Sequence, residues 1–152
     1  MFTLVPSHFF DPATARDALC EVAPLKDGDT VEYVEIPQYD AVLVYTQDGD
    51  SAVSDRPEIF RILTRLPDCP EYNKILCSQQ DGRLYLAVAQ GKNLLLANSF
   101  PARDFTTAEY YIFLALNSLQ LNPEISTVCF LTPLDAEDEM SLYRYFKAVV
   151  KL

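Results

Sequence analysis

The stretch Ser78-Gln79-Gln80-Asp81-Gly82-Arg83 sets a hydroxyl, a carboxylate and a glycine almost side by side. A hairpin holds a phosphate with such groups: the glycine lets the main chain approach closely, and the carboxylate organises a metal beside it. Ser78, Asp81 and Gly82 are therefore the residues that could touch a phosphate. A phosphate loop, however, wants small residues and more than one glycine. The chain has four glycines, Gly28, Gly49, Gly82 and Gly91, each alone in its own turn. Asp-Gly between apolar runs is also the signature of a type I′ hairpin turn, and that reading is favoured here.

Other reactive groups are sparse. Asp135, Glu137, Asp138 and Glu139 crowd the start of a predicted helix, where the macrodipole favours acids without any cation. Asp48-Gly49-Asp50 opens like a calcium loop but lacks the remaining ligand positions and the closing glutamate, so it reads as a plain turn. Cys20, Cys69, Cys77 and Cys129 show neither a C-x-x-C pair nor zinc-like spacing and are expected to be reduced core thiols. A lone histidine, His8, leaves little room for histidine-based catalysis. No P-loop, dinucleotide fingerprint, H-E-x-x-H or G-x-S-x-G is present, and no cofactor or metal is expected.

At 152 residues the chain suffices for one ordinary domain or two small lobes, and 49% hydrophobic with 22% charged residues is a globular composition. No apolar run approaches the roughly 20 residues of a membrane helix, and the first ten residues lack the basic start and apolar centre of a signal peptide. A cytoplasmic location is expected. A net charge of −10 with scattered basic residues makes nucleic acid and anionic membranes poor partners.

The elements that position the candidate residues lie between Lys74 and Leu131. Residues 75–79, 84–89 and 93–98 read as three strands joined by Asp81-Gly82 and Gly91-Lys92. A helix follows, with Thr106 as N-cap, Glu109 closing a capping box and Phe105 with Tyr110 as a hydrophobic staple; it is expected to run to Asn122-Pro123. Residues 126–132 are a fourth, parallel strand, and Asp135 caps a last helix reaching about Val149. Ahead of this stretch, residues 2–5 read as a strand, Asp11-Pro12 as a helix start, and residues 31–36 and 41–46 as a hairpin. Asp55 and Glu58 form a capping box for an apolar helix that Pro67-Asp68-Cys69-Pro70 stops, placing a boundary between residues 1–70 and 71–152.

Three meandering strands, a helix, a parallel strand and a helix reproduce most of the ribonuclease-H-like unit that actin-type ATPases carry twice, so the expected class is α/β (α+β mixed sheet), with an incomplete first lobe ahead of that unit. Val5-Pro6-Ser7 followed by Phe10, the strand around Ala41 to Tyr45, Leu94 to Phe100, Glu109-Tyr110-Tyr111 and Tyr143-Arg144-Tyr145 resemble a domain-of-unknown-function family of Bacteroidetes proteins with an actin-like, ribonuclease-H-like fold. The resemblance spans nearly the whole chain through short, apolar motifs. Members of that family begin with a strand hairpin ahead of the Val-Pro-Ser segment, and this chain starts almost on it. The resemblance therefore implies either a shortened form or a sheet edge supplied by another subunit. Ribonuclease-H-type catalysis needs acids on the first and fourth strands, and residues 75–79 and 126–131 hold none. The expectation is a non-catalytic actin-like domain that binds a protein partner or a second copy of itself; the alternative is a degenerate ATP-binding protein using Ser78, Asp81 and Gly82.

Overall fold

The computed structural model describes residues 1–47 and 56–152. The Asp48-Gly49-Asp50 loop and the Asp55 half of the first capping box lie outside the described residues. The chain divides into two compact units, Met1–Phe60 and Arg61–Leu152, with the division inside a helix.

In the first unit, β1 (Phe2–Pro6), β2 (Thr30–Ile36) and β3 (Ala41–Gln47) form an antiparallel sheet of order β1-β3-β2. The hairpin of β2 and β3 turns at Pro37–Tyr39 and closes through Asp40 in the left-handed region at φ 50. Asp11 accepts from the Ala13 amide at 3.0 Å, as a cap should, but the proline after it opens a 3-10 turn (Pro12–Thr14). The helix proper, α1 (Ala15–Cys20), is short; Ala15 and Leu19 pack on Val42 and Val44 of the sheet. Val22, at helical spacing in the sequence, lies past the helix end and is 62% exposed.

The second unit is a mixed five-stranded sheet. Its strands are β4 (Asn73–Gln80), β5 (Arg83–Gln90), β6 (Asn93–Pro101), β7 (Thr127–Phe130) and β8 (Ala148–Lys151), in spatial order β6-β5-β4-β7-β8. The first three strands form an antiparallel meander, while β4 with β7 and β7 with β8 run parallel. Helix α2 (Glu58–Arg65), which contains the division between the units, leads into a 3-10 turn (Leu66–Asp68) packed on β4 and β5. α3 (Phe105–Ser118) connects β6 to β7, and α4 (Ala136–Tyr143) connects β7 to β8. Ile75, Leu86, Val88, Ile112, Leu116, Val128, Phe130 and Leu142 belong to one core cluster that draws on both the sheet and these helices.

Four sequence expectations need correction. The N-cap of α3 is Asp104, not Thr106: its carboxylate accepts from the Thr107 amide at 2.7 Å. An ionised cap also complements the helix dipole, which a threonine cannot do. The predicted staple fails because Phe105 packs on the core cluster while Tyr110 is exposed. α3 ends at Ser118, four residues ahead of Asn122, in a Schellman motif: Leu121 N–H donates to Leu116 O at 2.9 Å and Gln120 N–H to Asn117 O at 3.1 Å, with Gln120 at φ 58. Asn122 instead caps the 3-10 turn Pro123–Ile125. The last helix stops at Tyr143, and Ala148–Lys151 is β8 rather than helix. Two adjacent β-branched valines beside a free edge of β7 favour strand there.

Candidate functional site

The candidate nucleotide-binding residues sit where β4 turns into β5, at the end of the sheet toward which parallel β4 and β7 both run. Ligands of open α/β sheets commonly bind at such carboxyl-terminal strand ends. Asp81 and Gly82 form a two-residue turn between Gln80 and Arg83, with φ 52 and 73, the double positive φ of type I′. Both are exposed. Ser78 is not beside them. It lies within β4 opposite Tyr85, fully buried, and its hydroxyl has no hydrogen-bond partner. The structure thus brings together two of the three residues singled out in the sequence.

The polar groups around this turn are engaged with one another. The Gly82 carbonyl accepts from the Ala102 amide at 2.9 Å. A Cβ built on Gly82 would stand 3.6 Å from Cγ of Arg103, so the segment after β6 lies against the turn. The Gln79 amide N–H donates to Thr132 Oγ1 at 3.0 Å, and its side-chain amide donates to the carbonyls of Ala102 (3.3 Å) and Asp104 (3.2 Å). Sequence reasoning missed Gln79 and Thr132, since a pairing between residues 53 positions apart leaves no local signal. Hydrogen bonding by Thr107 holds the Asp104 carboxyl below its usual range, so it stays ionised as a cap. These bonds tie Gln79 at the end of β4 to the segment after β7 and to the segment that leads into α3.

A second concentration of acids lies where α3 and α4 come near each other. Asp135 caps α4 by accepting from the Asp138 amide at 2.8 Å, as the sequence suggests. Asp138 is raised by partial burial and by the charges of Asp135 and Glu137, with Glu109 of α3 adding to the effect. Among the described residues no group of three or more His, Cys, Asp or Glu side chains is placed to hold a metal. Cys69, Cys77 and Cys129 are buried free thiols and Cys20 is an exposed one. A hydrogen bond shared with Cys129, together with burial, pushes Cys69 up; burial alone does most of this for Cys77.

A further unassigned feature is an apolar surface on α3. Ala108, Ile112, Ala115 and Leu116 point into the core at i, i+4, i+7 and i+8, as an amphipathic helix requires. Tyr110 and Leu114 fall on the opposite side and are 61% and 47% exposed. Phe113, between those faces, packs edge-on against Tyr145 at 4.9 Å and stacks on Phe146 at 5.6 Å, while Tyr110 meets Tyr111 at 5.4 Å. The signal was present in the sequence, because Tyr110 and Leu114 are aromatic and apolar positions off the stripe that the core takes up.

Among the described residues no helix is long and apolar enough to cross a membrane. Residues 59–149 match the family described as protein of unknown function (DUF3822). No curated protein matches the chain. Among solved structures, a Bacteroides thetaiotaomicron protein with actin-like ATPase fold and unknown function superposes with a TM-score of 0.78 at 17% identity, over 99% of this chain. The chain spans 64% of the length of that protein. Both lines agree with the resemblance read from the sequence, and the fold is that of actin-like ATPases.

Proposed function

The chain belongs to the DUF3822 family of proteins of unknown function, and we propose that it uses its actin-like fold for binding rather than catalysis, its target being a protein partner or a second copy of itself. The reading is carried by the exposed face of α3, where Tyr110 and Leu114 stand in water beside the Phe113–Tyr145 contact. Exposed aromatic and aliphatic side chains gathered on one rigid element are the usual centre of an interface. The mutual engagement of Gln79, Thr132 and Asp104 at the strand ends supports the non-catalytic half of the reading, and the free thiols suit a reducing, cytoplasmic setting.

The test is the pair of substitutions Tyr110→Glu and Leu114→Glu, both on exposed positions and so compatible with folding. Light scattering over a wide concentration range should show the native chain associating and the double variant remaining monomeric. If the native chain is also monomeric, self-association falls. The partner arm then predicts that a protein co-purified with the native chain is lost with the variant. A partner retained equally by both would remove α3 from the reading.

A further inference from the structure

The first unit carries a separate surface whose hydrogen-bonding pattern can be worked out residue by residue. β1 pairs with β3 in the register Phe2↔Tyr45 through Pro6↔Ala41. Thr46 N–H donates to Met1 O at 3.1 Å and Ser7 N–H donates to Asp40 O at 2.8 Å, so the two ends of the ladder are anchored through odd-numbered β1 residues. In an antiparallel pair such hydrogen-bonded positions alternate. Thr3 and Val5 therefore turn their main-chain groups toward β3, whereas Phe2, Leu4 and Pro6 turn theirs to the outer edge. Among the described residues no strand pairs with that edge.

Helix α1 lies on the same sheet, in contact with β1, β2 and β3. One side of it, Ala15 and Leu19, packs on the sheet. Its other flank, with Asp17, Ala18, Glu21 and Val22, lines an open groove of about 340 Å³ together with residues 3–6 of β1. An edge strand with a helix laid alongside is the geometry in which an extended peptide adds as a further strand, taking affinity from main-chain hydrogen bonds and selectivity from the helix side chains.

Those side chains specify the occupant. Ala18 and Val22 offer a shallow apolar floor, and Asp17 and Glu21 are exposed carboxylates without an ion-pair partner among the described residues. The adjacent Arg16 does not neutralise them: its guanidinium donates to the carbonyls of Asp29 and Lys26, each at 2.7 Å. A second copy of a chain with net charge −10 would bring like charge to this rim. We infer that the groove between β1 and α1 receives an extended basic segment of a partner protein, with lysine or arginine facing Asp17 and Glu21 and main-chain hydrogen bonds to Phe2 and Leu4. Pro6 has no N–H and closes the ladder, so the segment is short. The inference rests on the binding role proposed above and gives it a second surface and a partner chemistry.

Calorimetric titration of the full chain with the peptide acetyl-Lys-Val-Lys-Val-Lys-Val-amide, and with its glutamate counterpart, tests the inference. The lysine peptide should bind, several-fold more weakly in 300 mM than in 50 mM salt, and the glutamate peptide should not. The Phe2 and Leu4 amides should become protected from hydrogen exchange when the lysine peptide is present. Leu4→Pro removes an outward N–H while the ladder bonds of Thr3 and Val5 to β3 can still form, and it should weaken binding at least tenfold; Asp17→Lys with Glu21→Lys, which leaves the strand untouched, should do the same. Absence of binding, equal binding of both peptides, or binding unaffected by the charge reversal would overturn the inference. A concentration-dependent dimer abolished by Leu4→Pro would also overturn it, assigning the edge to a second copy and leaving the broader binding role intact. Loss of association on substituting Tyr110 and Leu114 alone would instead bear on that broader role and not on this groove.

Discussion

At the scale of single residues, two aspartates at helix starts carry opposite pH signatures. Asp104 caps α3 through the Thr107 amide, which lowers its pKa from the ordinary 3.8. A lowered carboxyl stabilises the fold above its unfolded pKa, and the contribution is lost as pH falls through the folded value. Asp104→Ala should therefore unfold more easily at pH 7, with the gap to the native chain closing below pH 3.8. Asp138 is shifted up from the same 3.8, chiefly by desolvation and then by Asp135 and Glu137. Its ionisation opposes folding, so Asp138→Asn should match or exceed the native chain at pH 7, the difference disappearing as pH drops through the raised pKa. Urea denaturation at pH 7 and pH 3 checks both. The turn at Asp81-Gly82 was legible because its chemistry is local, two residues that tolerate positive φ. The engagement of Gln79 and Asp104 was not, because it is made by chain segments remote in sequence.

Among whole elements, strands were easier to read than helix ends. The three meander strands of the second unit stood out as apolar runs between glycine turns, and β5 is buried along most of its length, as such a run requires. α3 was found but misplaced at both termini. Its C-terminal stop uses Gln120 in the left-handed conformation where glycine is usual, so no glycine marked it. A non-glycine residue there costs roughly 1–2 kcal/mol of strain. Gln120→Gly should accordingly stabilise the protein by about 1 kcal/mol, after the greater entropy of unfolded glycine is deducted. A midpoint that stays put or falls in urea would mean that Gln120 compensates through contacts of its own. β8 escaped notice for another reason: Leu142, Phe146 and Val149 do share the core, but a helical period and a helix followed by a strand are indistinguishable over so few residues.

For the molecule as a whole, the fold and the chemistry of the sequence point in different directions, and a ligand decides between them. The five-stranded order β6-β5-β4-β7-β8 and the match to an actin-like ATPase fold would by themselves suggest ATP. Fold does not fix function, however, and the site must supply the phosphate contacts. At the hairpin where they would be made, Gly82 is the only glycine, Ser78 is buried out of reach, and the neighbouring Asp104 is committed to capping α3. A ligand that binds only the folded state and is present at a hundred times its dissociation constant adds about 2.7 kcal/mol to stability, enough to raise a melting temperature by several degrees in a protein of this size. With ATP or ADP and magnesium at millimolar concentration, the melting temperature should move by less than about one degree, which on the same linkage excludes binding tighter than the millimolar range. Gly82→Ala separates the two readings further. Its Cβ meets Arg103 only at ordinary van der Waals distance, so the strain at φ 73 should cost roughly 1–2 kcal/mol with or without nucleotide. A melting temperature that rises with ATP in the native chain and not in this variant would place a phosphate at the hairpin and restore the nucleotide reading.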